Sequence, residues 1–295
     1  MPPIRDYVEL TKPRITWLIL MSTGIGYWFG LPVSGGWPAM LGGLDWAMLF
    51  HTVMGTGLLA SGTAALNQWY EREADSRMRR TARRPLPSGR ISPRGALLFG
   101  LALSAAGFVE LWLGANLLAA LIGAFTLLSY LCLYTPLKRR TWLSTTVGAV
   151  PGAMPPLIGY AAGSGALTAE AWVLAGILFL WQFPHFYAIA WMYREDYARA
   201  GIVMLPVVEP DGRSTARQIV LYGLLLIPVS LLPSALGMSG GFYFAGALAG
   251  GLWFLRSGLR VAKERTVPRA RGVLMVSVLY LPLLYGLMLL DRPNL

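Results

Sequence analysis

GALLFGLALSAAGFVELWL (95–113) and ANLLAALIGAFTLLSYLCLY (115–134) are two long apolar runs that together contain one charged residue, Glu110. About 20 apolar residues in a helix cross the roughly 30 Å hydrocarbon core of a bilayer. The whole chain has the same character, since 55% of its 295 residues are hydrophobic and 13% are charged. An average soluble domain has about 25% charged residues. The sequence therefore predicts an all-α integral membrane protein.

Hydropathy along the chain predicts nine membrane-spanning helices. Several of them contain Gly or Pro, as in VGAVPGAMPPLIGY (147–160), and such kinks are tolerated where neighbouring helices satisfy the freed backbone groups. The predicted spans lie near residues 15–32, 46–69, 95–112, 115–134, 142–162, 170–192, 217–235, 240–256 and 272–290.

The basic residues predict the orientation of these spans. With nine spans, 24 of the 25 Lys and Arg residues fall on one side of the membrane, and only Arg292 falls on the other. Because basic loops stay in the cytoplasm, we expect an N-inside, C-outside topology. The net charge of +11 is then explained by topology and by contact with anionic lipid. Nucleic-acid binding is not expected.

The segment NQWYEREAD (67–75) places oxygen-bearing side chains at the end of the second predicted span. Asn67, Glu71 and Asp75 have the spacing i, i+4, i+8, which aligns them in one stripe about 12 Å long on a helix. Mg²⁺ is commonly held by one or two carboxylates, while substrate phosphates and water complete its coordination. The alternative is a helix end whose acids are solvated and paired with Arg72 and Arg79.

A second acidic segment, YREDYARAG (193–201), follows the sixth predicted span on the same side of the membrane. Glu195 and Asp196 could face the first acidic stripe, so that a diphosphate is held from both sides with arginines supplying the remaining positive charge. A solvated helix terminus is again the alternative.

The motifs of the chain resemble those of the UbiA superfamily of intramembrane prenyltransferases. NQWYEREADSRMRRTARRPLPSGRIS (67–92) is similar to the first signature of that superfamily, NxxxDxxxD, with Glu71 in the middle position. Glu71, RTARRPLPSG (80–89), LTKPRI (10–15), YTPLKRRT (134–141), WQFPHF (181–186) and DYARAGIVMLP (196–206) resemble the branch that farnesylates protohaem IX, the haem O synthases. The second superfamily motif, DxxxD, is not matched, because the nearby acids are adjacent.

The resemblance implies a nine-helix UbiA-type bundle that forms one domain over residues 1–295. It also implies an activity: a farnesyl group passes from farnesyl diphosphate to a vinyl group of haem b, which gives haem O and diphosphate. Mg²⁺ is the implied cofactor and haem b is a substrate. The implied location is a bacterial inner membrane, with the site on the cytoplasmic side. A haem A synthase or an oxidase-assembly protein is a further partner suggested by the resemblance, and the sequence does not identify it.

The resemblance also assigns site residues. The metal ligands and catalytic residues would be Asn67, Glu71, Asp75 and Asp196, together with Lys138 as a catalytic cation. The diphosphate would be bound by arginines, namely Arg14, Arg77, Arg83, Arg84 and Arg199. His185 and Tyr193 are expected to contact haem, although a buried histidine bonded to backbone is an equal alternative for His185.

Two loops complete the predicted organisation. Residues 76–94 are expected to form a cytoplasmic cap over the site, with RRPLPSG (83–89) as a rigid turn, and residues 193–216 form a second cytoplasmic loop. Two other functions stay open: prenyl transfer to a quinone precursor or a chlorophyll-type ring, and transport of an anionic solute. A transporter is expected to carry charged groups in mid-membrane and an internal repeat, and neither is evident.

Overall fold

The computed structural model describes residues 3–32 and 44–292, and within these ranges it is built from helices without β-strands. The helices are α1 (Ile4–Leu10), α2 (Pro13–Gly30), α3 (Trp46–Arg77), α4 (Pro93–Gly114), α5 (Leu117–Leu128), α6 (Ser144–Gly152), α7 (Pro155–Ser164), α8 (Ala169–Met192), α9 (Arg194–Arg199), α10 (Leu205–Val208), α11 (Arg213–Ala235), α12 (Gly241–Lys263) and α13 (Val267–Leu290). A π-helical turn (Ser129–Tyr134) and one α-turn (Thr135–Leu137) extend α5.

Helices occupy all nine positions at which hydropathy predicts spans. Among the described residues, six helices are long and apolar enough to cross a membrane: Trp46–Arg77, Pro93–Gly114, Leu117–Leu137, Ala169–Met192, Arg213–Ala235 and Val267–Leu290. Their surfaces carry many exposed apolar side chains, such as Leu98, Leu113 and Met275, which suit contact with lipid. The chain is therefore an all-helical, multi-pass membrane protein, while the nine-span count and the orientation stay predictions.

The fifth predicted span is interrupted in the structure. Helix α6 ends at Gly152 and α7 begins at Pro155, with Ala153 and Met154 between them. Pro155 and Pro156 have no backbone N–H group, so neither residue can continue the hydrogen bonds of the preceding helix. The predicted span over 142–162 therefore consists of two helices, and its break lies in the Gly- and Pro-containing segment where a kink is expected.

The described chain divides into two compact units. One contains residues 3–30, 45–166 and 195–204, and the other contains 31–32, 44, 167–194 and 205–292. In the first unit, α3 and α4 form an antiparallel hairpin with close backbone approach: a methyl group built on Gly107 would lie 2.5 Å from the Leu59 nitrogen. Helix α2 packs equally closely and in parallel with α7, where a methyl group on Gly30 would lie 2.6 Å from the Tyr160 oxygen. Small residues at such interfaces are typical of membrane helices.

The segment between α3 and α4 folds back onto the first unit instead of extending into solvent. Leu86 and Ile91 are buried in a core with Leu10, Ala65 and Ala96. Arg90, which is in the same segment, donates hydrogen bonds to Asp6 and Glu9 of α1. Residues 78–92 are therefore held to α1, α3 and α4, although their predicted role as a cap is untested. The second predicted loop, 193–216, contains α9, α10 and the first turn of α11.

In the second unit, α8, α11, α12 and α13 pack together around buried aromatic and hydroxyl side chains. Phe183 stacks on Tyr222 with ring centroids 3.7 Å apart. Tyr243 donates to the Ser230 carbonyl at 2.7 Å, and Tyr280 donates to the Ser230 hydroxyl at 2.8 Å. Buried polar groups satisfied in this way join neighbouring helices where no water is available.

Candidate active site

The polar stripe predicted on the second span lies on the buried face of α3. Asn67 is 2% exposed and Asp75 is 1% exposed, and Glu71 is partly buried. Glu73, on another face of the same helix, has a side chain that is 70% exposed. The alternative of a solvated helix end, with acids paired to Arg72 and Arg79, is therefore wrong for Asn67 and Asp75. A buried carboxylate needs a partner, because burying an unpaired charge is costly.

Asn67 is the centre of a hydrogen-bond network that joins three parts of the chain. Its Oδ1 accepts from Lys12 Nζ at 3.2 Å. Its Nδ2 donates to Glu71 Oε2 at 3.1 Å and to Thr135 Oγ1 at 3.3 Å. Helix α3, the link between α1 and α2, and the turn that ends α5 thus meet at one amide. The i, i+4 spacing of Asn67 and Glu71 puts both on the same face, which makes their contact possible.

Lys138 supplies the counter-charge of Glu71. Its Nζ donates to Glu71 Oε1 at 2.8 Å and lies 4.4 Å from the centroid of the Tyr134 ring. Burial opposes the charged form of Lys138, but the Glu71 carboxylate outweighs this and holds the pKa of Lys138 well above its usual range. Lys138 follows the last turn of the helix that ends at Leu137, so the predicted catalytic cation is fixed to the end of a membrane helix.

Lys12 is a member of the cluster that the sequence did not predict. It adopts a left-handed backbone conformation, φ 49°, which costs about 1–2 kcal/mol in a residue with a side chain. The sequence signal is Pro13, because a residue before proline is disfavoured in the right-handed helical region. Burial, and next the charge of Arg84, lower the pKa of Lys12 to about 7, while Glu71 and Asp75 act in the opposite direction. These charged groups therefore influence one another in one cluster.

Asp75 is held by the segment that follows α3. Arg84 NH1 donates to Asp75 Oδ2 at 2.8 Å, and the Thr81 hydroxyl donates to the Asp75 carbonyl at 2.8 Å. The Asp75 side chain is 1% exposed and the Arg84 side chain is 27% exposed. Because the chain reverses direction over residues 78–84, Arg84 contacts Asp75. A predicted diphosphate ligand thus contacts a predicted metal ligand.

Asp196 is linked to the same segment. Its Oδ1 accepts from the backbone nitrogen of Arg79 at 3.2 Å and also from Arg199. The next residue, Tyr197, accepts a hydrogen bond from Arg80 at 3.3 Å. Glu195 is exposed whereas Asp196 is buried, which distinguishes the two adjacent acids. The residues that follow α3 and those of the second acidic segment therefore form one structural group.

The other predicted residues fall into two groups. Arg14, Arg77 and Arg83 are exposed, and in the described ranges their side chains make no hydrogen bond or ion pair. His185 and Tyr193 belong to the second unit. There, His185 Nδ1 lies 2.8 Å from Ser277 Oγ, and the His185 ring stacks on Trp181 with centroids 4.8 Å apart.

The donor set has the chemistry of a site for a hard cation and a polyanion. Amide and carboxylate oxygens of Asn67, Glu71 and Asp75 are ligands that Mg²⁺ prefers. Lys12, Lys138 and Arg84 contact these same three side chains and are donors suited to phosphate. Across residues 3–32 and 44–292, no three residues of the His, Cys, Asp and Glu types are grouped so that they could hold a metal. The carboxylates are engaged with cationic side chains instead.

Comparisons with known proteins agree with this architecture. The model of the UbiA prenyltransferase family matches residues 27–279. The chain is 74% identical to a protoheme IX farnesyltransferase of Solibacter usitatus, over 99% of this chain and 100% of that protein. It is 48% identical to a protoheme IX farnesyltransferase of Koribacter versatilis, over 98% and 94% of the two chains.

Solved structures share the fold at low sequence identity. A UbiA homologue from Archaeoglobus fulgidus bound to GPP and Mg²⁺ has a TM-score of 0.68 at 16% identity, over 96% of this chain and 99% of that chain. A structure solved in a study of digeranylgeranylglyceryl phosphate synthase in membranes has a TM-score of 0.80 at 18% identity, with both chains covered completely. From the match over most of its length and from these relatives, the chain belongs to the UbiA prenyltransferase family.

Proposed function

We propose that this prenyltransferase is a protohaem IX farnesyltransferase, which transfers farnesyl from farnesyl diphosphate to a vinyl group of haem b and so forms haem O. The observation that carries the proposal is the 74% identity, over 99% of the chain, to the protoheme IX farnesyltransferase of Solibacter usitatus. At this level of identity a change of acceptor is not expected unless residues of the site differ. The predicted site residues remain part of the proposal.

The polar cluster on α3 would bind the diphosphate end of the substrate. When the bond between an allylic carbon and diphosphate breaks, negative charge develops on the leaving group. Lys12, Lys138 and Arg84 would stabilise that charge, because they are already held in position by Asn67, Glu71 and Asp75. Preorganised donors of this kind need little rearrangement when the charge appears. Arg14, Arg77, Arg83 and Arg199 are proposed as further diphosphate donors.

Asn67, Glu71 and Asp75 would also hold Mg²⁺, with Asp196 as a ligand on the opposite side. When bound, Mg²⁺ would neutralise charge on the diphosphate oxygens and orient the leaving group. The hard oxygen chemistry of these side chains supports the assignment. To bind a cation, Glu71 and Asp75 would share their oxygens between it and the cationic side chains that already contact them, Lys138 and Arg84.

The rings beside Lys138 would help to exclude water from the reacting carbon. The centroids of Tyr130 and Tyr134 lie 4.9 Å apart, and the Lys138 ammonium lies over the Tyr134 ring. An aromatic face tolerates a nearby positive charge, so these rings would also suit an allylic cation. Water must enter only after carbon–carbon bond formation, because the product carries a new hydroxyl group.

His185 is proposed as the residue that contacts haem, with Tyr193 as a second contact. The Ser277 hydroxyl lies 2.7 Å from the Leu274 carbonyl and donates its one proton there, so Ser277 Oγ accepts from Nδ1–H of His185. In a neutral imidazole this leaves the lone pair on Nε2. Within residues 3–32 and 44–292, no hydrogen bond to Nε2 is found. Nε2 is also not among the fully buried side-chain atoms that lack a hydrogen-bond partner, so a ligand can reach it. This tautomer suits a ligand of the haem iron.

The membrane arrangement is proposed to be a single nine-span domain in a bacterial inner membrane, N-inside and C-outside, with its site on the cytoplasmic side. The distribution of basic residues supports it. Labelling of single cysteines in whole cells tests it: with Cys132 replaced by Ser, Ser164→Cys should react with an impermeant maleimide and Ser88→Cys should not. Both serines are exposed, and the reverse pattern would exclude this topology.

The activity is tested with purified protein, Mg²⁺ and farnesyl diphosphate, offered haem b or 4-hydroxybenzoate as acceptor. We expect haem O by mass spectrometry and no prenylated benzoate. Prenylated benzoate as the only product would favour the quinone-precursor alternative. Flux of an anionic solute into liposomes with no prenyl transfer to any acceptor would favour the transporter alternative.

A further inference from the structure

A cavity of about 280 Å³ lies in the second unit, between the end of α12 and the start of α13. Its lining combines three guanidinium groups with one aromatic ring and small or apolar residues: Trp253, Arg256, Ser257, Arg260, Pro268, Arg269, Gly272 and Val276. Among the residues that the structure describes, no acidic one lines it. None of these residues has a part in the proposed prenyl transfer.

Two of the three arginines in the cavity have side chains without an ion-pair or hydrogen-bond partner among residues 3–32 and 44–292. Arg256 and Arg260 are one helical turn apart on α12 and, in the described ranges, make no ion pair or hydrogen bond. Arg269 enters from α13 and donates to Glu264 at 3.0 Å. Positive charge is thus concentrated on a concave surface and is only partly compensated. Guanidinium groups in this arrangement suit the oxygens of a phosphate group.

Small or apolar residues complete the lining of the cavity. Ser257 and Val276 are buried, and a methyl group built on Gly272 would meet no atom within 4 Å. The Ser257 hydroxyl donates to the Phe254 carbonyl at 2.6 Å. Among the described residues that line the cavity, Arg256 and Arg260 therefore remain the free donors. Cationic and apolar residues thus line the same cavity, which suits a headgroup that remains attached to an acyl chain.

The position of the cavity along the helices matches the level of lipid headgroups. Helix α13 is long and apolar enough to span a membrane, and Arg269 is in its first turn, at the polar end. Trp253 is 42% exposed, and tryptophan is enriched at the membrane interface. Basic pockets between membrane helices bind anionic headgroups. We propose that this cavity binds a phosphate group, and that the phosphate is the headgroup of an anionic phospholipid.

Native mass spectrometry of the purified full-length protein tests the proposal with phosphatidylglycerol and phosphatidylcholine as probes. Wild-type protein should retain phosphatidylglycerol in preference to phosphatidylcholine. The double variant Arg256→Gln/Arg260→Gln should bind phosphatidylglycerol roughly ten- to thirty-fold more weakly, because it removes two of the three guanidinium groups that line the cavity and would contact the phosphate. The matched control, Arg265→Gln/Arg271→Gln, removes the same charge from residues that do not line the cavity, and its affinity should stay within about twofold of wild type.

A second variant separates the cavity from charge and from folding. Gly272→Leu fills the cavity and keeps all arginines, and open space around Gly272 lets the protein accept the larger side chain. It should lose the preference for phosphatidylglycerol, with a melting temperature close to that of wild type. An undiminished preference in Gly272→Leu, or an equal loss in the control pair, would overturn the proposal.

Inorganic phosphate distinguishes the two sources of the phosphate group. Calorimetric titration with inorganic phosphate should give the same heat for wild-type protein and for the double variant Arg256→Gln/Arg260→Gln. If inorganic phosphate binds in the cavity as tightly as phosphatidylglycerol does, the lipid assignment is wrong. Each of these measurements reports binding alone, so they are independent of whether the protein transfers farnesyl to haem.

Discussion

The Lys138 ammonium lies 2.8 Å from Oε1 of Glu71, although the two residues are 67 positions apart in the chain. Both side chains are 14% exposed. The pair therefore connects the end of the α5 segment to the buried face of α3, in the middle of the proposed diphosphate site. The contribution of this ion pair to stability, and the protonation state of Lys138, determine how a substitution of either residue changes the stability of the protein.

Removing one member of this pair should destabilise the protein more than removing both charges. Lys138→Met leaves Glu71 with a buried, uncompensated charge, and we expect a loss of about 3–5 kcal/mol in the free energy of unfolding. The double variant Glu71→Gln/Lys138→Met should recover most of that loss. Thermal unfolding in detergent measures both, and a double variant no more stable than Lys138→Met would contradict the pairing.

The stability that the Lys138–Glu71 pair contributes should not depend on pH over the physiological range. The folded pKa of Lys138 lies above its ordinary value of 10.5 because of Glu71. A base with a raised folded pKa contributes its full stability below the unfolded pKa and loses it as the pH rises through the folded pKa. Lys12 must be replaced in both proteins, because its pKa of about 7 is itself lowered by Lys138. The stability difference between Lys12→Met and Lys12→Met/Lys138→Met should therefore be constant from about pH 7 to pH 9. A steady decrease across that interval would show that Lys138 is deprotonated there.

The buried face of α3 should be required for prenyl transfer, and its exposed face should not. Asp75→Ala and Asn67→Ala remove proposed metal ligands, so we expect kcat to fall by about 100-fold or more while the protein still inserts into the membrane. Glu73→Gln is the matched control, since Glu73 lies on the same helix with a side chain that is 70% exposed. Steady-state assays over a range of Mg²⁺ concentrations measure the effect. Equal activities in Asp75→Ala and Glu73→Gln would exclude Asp75 from the site.

His185 and Ser277 should act together on haem. His185→Ala should weaken haem binding without changing the affinity for farnesyl diphosphate. Ser277→Ala should weaken haem binding by about 10- to 100-fold, as expected for a residue that orients a ligand, and Ser277→Thr should restore it. The Soret spectrum during titration with haem is the readout, with Ser164→Ala as an exposed control. Loss of haem and diphosphate binding to the same extent in His185→Ala would contradict the haem role.

The α3–α4 hairpin should not tolerate side chains at its closest contacts. Gly107→Ala would place a methyl group 2.5 Å from backbone nitrogen of Leu59, so we expect a loss of about 1–3 kcal/mol from overpacking. Gly24→Ala, on α2, would meet no atom within 4 Å. It should be neutral or slightly stabilising because alanine is the better helix former by about 1 kcal/mol. Melting temperatures of the two variants measure the contrast, and similar values would show that the helices are not in backbone contact.

The sequence by itself determined the class of the fold and the face of α3 on which the proposed site lies. Apolar runs of about 20 residues fix where membrane helices form, because no other open structure satisfies the backbone in lipid. The i, i+4, i+8 spacing fixes that Asn67, Glu71 and Asp75 share one stripe, since a helix has 3.6 residues per turn. Both properties are local, and both can be obtained from neighbouring residues alone.

Only the tertiary structure decided which cation meets which oxygen-bearing side chain of the stripe on α3. Lys12 with Asn67, Lys138 with Glu71, and Arg84 with Asp75 are contacts across separations of 55, 67 and 9 residues. The sequence offers 25 basic residues, mostly in the predicted cytoplasmic segments, and their spacing does not distinguish the ones that are buried from the ones that meet solvent. That choice depends on how α2, α3 and α5 pack, because packing determines which charges leave water and must therefore be paired.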